Sequence, residues 1–266
     1  MVHIAGPACP YTLPIGGRPL IRHAIRSLRD AGIDEVLVVV DPAIVEDVVM
    51  AVGDPGVALH YALSPGGEDS LVHAAREAFG PGPVLVHHSD ALLPDGFTPA
   101  EDTTFTSAGR VLAHTLGSAA QQVEVEDAWV YDGTVEGVLE ANSAALDRLK
   151  RGRIGADHTS ASIQGRVSIH PTAVLQGAKI RGPVYIGPEA QIVETYVGPY
   201  TSIGARVKLE GVEIENSIIL PGAEISFPGR RLEASMVGER AQIGRDYSLP
   251  SALRLRIGPG ADIQLS

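Results

Sequence analysis

One short run of the sequence combines residue types that can exchange protons or bind a metal. It reads His87-His88-Ser89-Asp90 and follows an apolar stretch that predicts a strand over residues 84–88. Since side chains alternate across a strand, His87 and His88 would face opposite sides, with Asp90 on the side of His88. The run predicts either a metal or acid–base cluster or, as the favoured interpretation, one histidine packed beneath a helix and the other in solvent.

Three further residues are candidates for chemistry. Cys9 is the single cysteine of the chain, which excludes a disulfide framework or a cysteine cluster for zinc. A thiolate near a helix start could act as a nucleophile, although a small half-buried residue between prolines is the favoured interpretation of Cys9. Trp129 and Tyr131 could line a pocket, but an ordinary sheet surface is favoured.

An alternation of strands and helices must position these residues. Strands are predicted at 2–6, 35–40, 57–62, 84–88 and 123–131, and helices at 19–31, 42–52, 69–79 and 135–150. This order predicts an α/β domain with a Rossmann-like parallel sheet and helices on both faces. Its ligand site would lie at the carboxyl ends of the strands.

A different pattern fills roughly the last hundred residues, where aliphatic residues recur on a seventeen-residue repeat. Three short faces per coil, each with one aliphatic residue inward, are typical of a left-handed parallel β-helix of hexapeptide type. Gly187, Gly204 and Gly238 would occupy tight corners. We therefore expect domains at 1–152 and 153–266, joined by a linker at 151–159. The three rows are Ile163, Ile180, Val197 and Ile214; Ile169, Ile186, Ile203, Leu220 and Val237; and Leu175, Ile192, Leu209, Ile225 (after a one-residue slip) and Ile243.

Composition narrows the classes of function. The chain has 266 residues, 44% of them hydrophobic, and a formal net charge of −11. This charge argues against a nucleic-acid partner. No apolar run approaches the ~18 residues of a membrane span, and the first residues lack the pattern of a signal peptide. We expect a cytoplasmic protein without a membrane partner.

Short stretches in both domains form a recognisable set. In the first domain they are Gly17-Arg-Pro-Leu-Ile21, Asp30-Ala-Gly-Ile-Asp-Glu-Val36, Tyr61-Ala-Leu-Ser-Pro65, Ser70-Leu-Val-His-Ala74 and Leu139-Glu-Ala-Asn142. In the second domain they are Arg181-Gly-Pro-Val184, Tyr196-Val-Gly-Pro-Tyr-Thr-Ser-Ile-Gly204, Glu213-Ile-Glu-Asn-Ser-Ile-Ile219 and Leu249-Pro-Ser-Ala-Leu-Arg-Leu255. Together these stretches resemble sugar-1-phosphate nucleotidyltransferases, and those of the second domain resemble the β-helix of the long-form glucose-1-phosphate thymidylyltransferases. The resemblance implies transfer of a nucleotide from a nucleoside triphosphate to a sugar-1-phosphate, with magnesium and release of pyrophosphate.

The chain departs from this family where phosphates would be bound. The family uses a loop reading G-G-x-G-T-R-L-x-P, a following lysine and a later E-K-P lysine, because the reaction gathers two anions. Here only eight residues, 7–14, separate Gly6 from the segment that should follow the loop, and no lysine precedes Lys150. Arginine does not readily replace these lysines. Gly6 and Ser70 remain as vestigial nucleotide-binding candidates.

A second departure concerns the sugar pocket and the metal. Only 38 residues separate Asp90 from Trp129, and the E-K-P and glutamate-rich segments of the family are absent from them. The resemblance puts Asp90 where the family has the first metal aspartate. Asp132 is the candidate for the second, although counting back from Asn142 puts Tyr131 there instead. Without nucleotide phosphates, two carboxylates would hold magnesium weakly.

Four hypotheses follow. We favour a truncated, degenerate homologue without nucleotidyl transfer, a structural or regulatory protein that forms a homo-oligomer through its β-helix or binds an active relative or pathway enzyme. The second is an active nucleotidyltransferase centred on Asp90 and Asp132. The third is a recruited chemistry that uses His88, Asp90 or Cys9. The fourth is an acyltransferase with His170 of the β-helix, for which an ordinary corner residue is the favoured interpretation.

Overall fold

The structure is a computed structural model that describes residues 2–3, 11–63, 68–88, 90–115, 121–149, 160–246 and 252–256. It divides into two compact units, Met1–Leu13 with Arg18–Asp132, and Pro14–Gly17 with Gly133–Ser266. The predicted domain boundary at 152/153 and its linker lie outside the described residues. The predicted helix after residue 134 belongs to the second unit, whereas the sequence assigned it to the first domain.

The elements follow one another in the predicted alternation and then in short repeated strands. No described helix has the length and apolar character needed to cross a membrane. Up to residue 132 the elements are β1 (Val2–His3), β2 (Pro14–Ile15), β3 (Arg18–Pro19), α1 (Leu20–Asp30), β4 (Glu35–Val40), a 3₁₀ turn (Pro42–Ile44), α2 (Val45–Val52), β5 (Ala58–Leu63), α3 (Glu68–Phe79), β6 (Leu85–His88), β7 (Ala91–Leu92), β8 (Thr103–Ser107), β9 (Arg110–Thr115), β10 (Gln121–Glu124) and β11 (Trp129–Val130).

The first unit is built on a seven-stranded sheet in the order β10-β8-β9-β6-β1-β4-β5. Strands β5, β4, β1 and β6 are parallel, as predicted. The sheet is nevertheless mixed, because β9 runs antiparallel to both β6 and β8. The sequence did not predict β8 and β9, which are joined by a two-residue turn with positive φ at Ala108 and Gly109. This turn matches the right-handed twist of a hairpin.

The prediction of a single strand over 123–131 is wrong. This segment forms two strands, β10 and β11, which are separated by a turn in which Asp127 has φ 58°. The two strands belong to different sheets: β10 pairs with β8, and β11 with β7. The short ribbon of β7 and β11 leads the chain back beside Asp90.

Helices cover both faces of the sheet, as predicted. On one face Val36, Val38 and Val40 of β4 pack in a cluster with residues of α1 and α2. On the other face Leu37 and Val39 pack in a second cluster with residues of α3. Burial on both faces explains why β4 is a continuous aliphatic run rather than an alternating one.

The second unit contains α4 (Val135–Asp147) and a parallel β-helix with three sheets. Its inward aliphatic residues form one continuous core, and the three-faced coil is consistent with the predicted left-handed β-helix. The strands are β12 (Ser162–Gln164), β13 (Val167–Ile169), β14 (Val174–Gln176), β15 (Lys179–Arg181), β16 (Val184–Ile186), β17 (Gln191–Val193), β18 (Tyr196–Val197), β19 (Thr201–Ile203), β20 (Lys208–Glu210), β21 (Glu213–Glu215), β22 (Ile218–Ile219), β23 (Glu224–Ser226), β24 (Leu232–Glu233), β25 (Met236–Val237), β26 (Gln242–Asp246) and β27 (Ala252–Arg256).

The register confirms two of the predicted aliphatic rows and corrects the other at one position. Ile203 pairs with Ile219, and Ile219 pairs with Val237, so Ile219 replaces Leu220 in that row. The corner after Ile214 is one residue shorter than the equivalent corners before it. The slip that the sequence placed at Ile225 therefore begins before Ile219.

Two of the predicted corner glycines lie where neighbouring coils approach closely. A Cβ on Gly204 would be 2.8 Å from the nitrogen of Pro221, and one on Gly187 would be 2.8 Å from the carbonyl carbon of Gly204. These contacts are with backbone atoms, which cannot move aside as a side chain can. The stacking of the coils therefore requires glycine at both positions.

Candidate functional site

The predicted site lies at the carboxyl end of β6, where the ribbon of β7 and β11 begins. Trp129 pairs with Leu92, and Val130 with Ala91. The pairing continues because Tyr131 N donates to the carbonyl oxygen of Asp90 at 2.8 Å. Of the two candidates for the second aspartate position, Tyr131 is thus the residue opposite Asp90. Asp132 is exposed, one residue further along.

The carboxylate of Asp90 forms an ion pair with Arg110, the first residue of β9. Arg110 Nη2 lies 3.1 Å from Asp90 Oδ2, and Arg110 Nη1 donates to the carbonyl oxygen of Tyr131. The side chains are 32% and 48% exposed for Asp90 and Arg110, so solvent screening limits this pair to less than about 1 kcal/mol. The second hydrogen bond nevertheless holds the guanidinium in place beside the carboxylate.

The described side chains around Asp90 do not by themselves make up a complete magnesium site. The ion takes near-octahedral coordination by oxygen atoms, while the Asp90 carboxylate already faces a guanidinium. Over the ranges that the structure describes, no three His, Cys, Asp or Glu side chains are grouped so as to hold a metal ion. The assignment of Asp90 and Asp132 to a metal stays a prediction.

His87 is the buried member of the predicted histidine pair. It has no exposed surface and lies on β6 between Val2 of β1 and Ala113 of β9. Neither ring nitrogen has a hydrogen-bond partner in the described part of the chain. Burial, with a further contribution from His88, lowers the pKa of His87 to about 3. His87 is therefore neutral at pH 7, and the prediction of one packed histidine is confirmed.

His88 is half-buried on the opposite side of β6. Its ring centroid lies 5.9 Å from that of His114 on β9, with the planes tilted by 35°. This places His88 beside a second imidazole that the sequence did not associate with it, because β9 was not predicted. Its role as a catalytic residue stays a prediction.

The remaining candidates are dispersed or lie outside the described residues. Gly6 and Cys9 are among the residues that the structure does not describe. Ser70 is half-buried near the start of α3. The Trp129 and Tyr131 rings lie 6.3 Å apart on the ribbon and are both half-buried.

His170 lies at a corner of the β-helix. Its side chain is exposed, and its Nδ1 is 2.9 Å from Thr172 Oγ1. Thr172 Oγ1 in turn accepts from Glu189 N at 2.9 Å, which ties the corner to the next coil. These bonds suit the favoured interpretation of His170 as a corner residue.

Two of the three arginines of α1 contact a loop that lies away from Asp90. Arg22 Nη2 donates to the carbonyl oxygen of Asp54 at 3.2 Å, and Arg29 lies beside Asp30 and the carbonyl oxygen of Pro55. These carbonyls belong to the loop that leads from α2 to the start of β5. This loop is at the amino edge of the parallel strands, whereas Asp90 follows the carboxyl end of β6.

The first unit also has an open cavity of about 450 Å³, but at the amino edge of the strands. Its lining includes the first residue of β4, Glu35, with Asp34, Glu101 and apolar side chains such as Phe79 and Leu85. Three carboxylates at one opening disfavour a phosphate ligand. This cavity is therefore not the nucleotide pocket that the sequence predicts at the other edge.

No protein-family model matches the chain, but curated proteins do. It is 31% identical over 150 residues to a glucose-1-phosphate thymidylyltransferase of Streptomyces antibioticus and, equally, to one of Streptomyces griseus. It is 32% identical over 152 residues to the low-salt glycan biosynthesis nucleotidyltransferase Agl11 of Haloferax volcanii.

The alignments cover 56% of this chain and 42% of each of these relatives. The chain thus spans less than half the length of the proteins it matches. The shared residues, together with the α/β unit followed by a β-helix, confirm the resemblance predicted from the sequence motifs. Over the aligned region the chain is similar to sugar-phosphate nucleotidyltransferases, represented by glucose-1-phosphate thymidylyltransferase.

Proposed function

We propose that the chain is a nucleotidyltransferase homologue that does not itself transfer a nucleotide, and that it acts as a structural or regulatory partner. The observation that carries this proposal is the ion pair between Asp90 and Arg110. In an active site the corresponding carboxylate would face a metal ion and a triphosphate. In this chain it faces a cation that belongs to the protein.

The chemistry of nucleotidyl transfer explains why this pairing matters. A sugar phosphate attacks the α-phosphorus of a triphosphate, so positive groups must bring two anions together and stabilise charge on the departing pyrophosphate. Arg110 is tied to Asp90 and to the Tyr131 carbonyl. Moving its guanidinium to a substrate phosphate would break both contacts.

The first 149 residues offer few other cationic side chains that could bind phosphates. Residues 1–149 contain no lysine. Arg22 and Arg29 of α1 bond to the loop at the amino edge of the strands. Both points support a protein that kept the fold of the family without its phosphate chemistry.

The second unit supports a role in assembly. Its inward rows form one uninterrupted core, and a rigid parallel coil presents flat faces suited to protein contacts. We propose a homo-oligomer formed through the β-helix, or a complex with an active nucleotidyltransferase or a pathway enzyme, in the cytoplasm.

A pyrophosphate-release assay tests the proposal. The purified chain is incubated with magnesium, each common nucleoside triphosphate and a panel of sugar-1-phosphates. We expect no pyrophosphate release above that of an Asp90→Asn variant, because the proposed homologue lacks the cations that would hold two phosphorylated reactants together. Turnover by the wild-type chain that is abolished in Asp90→Asn would overturn the proposal and establish the active alternative.

Replacing Arg110 should uncover the Asp90 carboxylate for a divalent ion. We expect Arg110→Gln to bind Mn²⁺ up to about fivefold more tightly than wild type, since less than about 1 kcal/mol of competing ion pairing is removed. Electron paramagnetic resonance of free Mn²⁺ measures this. Arg110→Lys keeps the charge and should resemble wild type. Equal affinity in all three proteins would show that Arg110 does not compete for Asp90.

A further inference from the structure

The outer edge of the sheet in the first unit lacks the features that normally keep a strand from pairing. Strand β5 lies at the end of the strand order and pairs only with β4 among the described strands. Its sequence, Ala-Leu-His-Tyr-Ala-Leu, has no lysine, acidic residue or proline. Exposed edges usually carry such residues because unpaired backbone groups attract other strands. The opposite edge strand, β10, ends in Glu124.

The register shows which backbone groups of β5 face outward. Ala58 N donates to the carbonyl oxygen of Asp34, so the backbone groups of Ala58 point toward β4. Successive residues of a strand alternate in this direction. The outward N–H and C=O groups therefore belong to Leu59, Tyr61 and Leu63.

These same residues share one side of the sheet, because side chains also alternate. Leu59 packs against the cluster under α1 and α2, so Tyr61 and Leu63 lie on that side too. Tyr61 is 39% exposed and Leu63 61% exposed, although both are large and apolar. On α2, which covers this side between β4 and β5, Val49 is 43% and Met50 83% exposed. Apolar surface thus continues from the strand edge onto the helix.

We infer that a second copy of this chain pairs with β5 in antiparallel orientation about a two-fold axis that passes beside Tyr61. In this register Tyr61 lies opposite Tyr61 of the second copy, and Leu59 lies opposite Leu63. Every outward N–H and C=O group then meets its counterpart in a hydrogen-bonded pair. The side chains that meet are all apolar or aromatic, so the edge is complementary to itself.

Charges near this edge favour an antiparallel second copy over a parallel one. Helix α2 carries Glu46 and Asp47 in its first turn, at the carboxyl edge of the strands. The loop at its other end holds the Asp54 carboxylate, bonded to Gly56 N, and is contacted by the guanidinium groups of Arg22 and Arg29. An antiparallel second copy brings the acidic turn of each α2 toward the end of the other α2, where Arg22 and Arg29 lie together with Asp30 and Asp54. A parallel copy would instead align the two acidic turns.

This interface is separate from the β-helix contact proposed above and does not depend on whether the chain is catalytic. Light scattering coupled to size exclusion gives the first test. Leu63→Lys puts a charge beside Leu59 of the second copy, and we expect it to halve the molar mass of the wild-type assembly. Val174→Lys, at an exposed apolar residue of the β-helix, is the matched control and should leave this contact intact.

Cross-linking tests the register itself. In a Cys9→Ser background, which removes the single native cysteine, Tyr61→Cys puts two thiols at the axis. Their Cα atoms would be about 5.5 Å apart, within reach of a disulfide. Ala58→Cys is the control, because the two copies of residue 58 would be roughly 20 Å apart. We expect mild oxidation to cross-link Tyr61→Cys and not Ala58→Cys.

Three results would overturn the inference. One is a monomeric wild-type chain whose Tyr61→Cys variant stays uncross-linked, which would leave the edge open to an extended segment of another protein. The second is cross-linking of both cysteine variants to the same extent. The third is an assembly that survives Leu63→Lys and is lost in Val174→Lys, because its contacts would then lie in the β-helix alone.

Discussion

Asn142→Ala is expected to lower the unfolding free energy of the second unit by roughly 3 kcal/mol. Asn142 on α4 is fully buried, and its Oδ1 accepts from Gly16 N at 2.9 Å and from Ser202 Oγ at 2.6 Å. Its Nδ2 donates to the carbonyl oxygen of Tyr200 at 3.0 Å. Alanine would leave these three groups without their partner inside the protein, which costs about 1–3 kcal/mol for a buried polar group.

Urea denaturation of wild type and variant measures this loss. Ser143→Ala is the matched control on the same helix, because the Ser143 hydroxyl donates to the carbonyl oxygen of Leu139 within α4. We expect that variant to stay within about 1 kcal/mol of wild type. A similar small change for Asn142→Ala would contradict the role of Asn142 as the residue that fastens α4 and Pro14–Gly17 to the β-helix.

The second large effect is an acid sensitivity of the first unit that originates at His87. The pKa of His87 is lowered from 6.5 to about 3 by burial, so the folded protein keeps this ring neutral while the unfolded chain takes up a proton below pH 6.5. The contribution of neutral His87 to the unfolding free energy is therefore at its full value above pH 6.5, and it decreases as the pH drops toward 3. At about 1.4 kcal/mol for each unit of pKa shift, the total is roughly 5 kcal/mol.

Equilibrium unfolding between pH 7 and pH 4 tests this. His87→Leu should flatten the pH dependence, and at pH 7 it should be close to neutral because it removes two unpaired polar atoms and puts a similar apolar volume in their place. His170→Leu, at an exposed histidine, should keep the slope of wild type. An unchanged slope in His87→Leu would assign the acid sensitivity to other groups.

The β-helix was predictable from the sequence because each of its coils repeats the same physical requirement. Each face of a coil contributes one inward aliphatic residue, so these residues recur with a regular period along the sequence. The period can be recognised even where one corner is a residue shorter. The error at Leu220 has a simple cause: Ile219 and Leu220 are adjacent aliphatic residues. A one-residue deletion before them is invisible until the pairing of Ile219 with Ile203 is known.

Only part of the candidate site was predictable, because Arg110 belongs to β9, a strand whose sequence shows no clear pattern. Asp90 could be placed because it follows an apolar strand at the edge where α/β sheets bind ligands. Arg110 could not, since β9, the strand that it begins, was not predicted. Its contact with Asp90 spans twenty positions of the sequence, and periodicity reports only local neighbours. The Ala108-Gly109 turn was the one available signal.

The position of α4 shows a similar limit. The segment Leu139-Glu-Ala-Asn142 resembles the helix that closes the catalytic domain of the family, which led to its assignment to the first domain. Its buried asparagine instead bonds to Tyr200 and Ser202 of the β-helix. Sequence spacing identified the helix, but the partner of a buried amide depends on long-range packing.

A crystal of the protein soaked with a nucleoside triphosphate and magnesium would show directly whether the Asp90 carboxylate can serve nucleotidyl transfer. We expect Arg110 to stay paired with Asp90 and no triphosphate to be held with its α-phosphorus beside that carboxylate. Density for a magnesium ion bridging Asp90 and the α-phosphate, with Arg110 displaced toward the phosphates, would contradict this expectation.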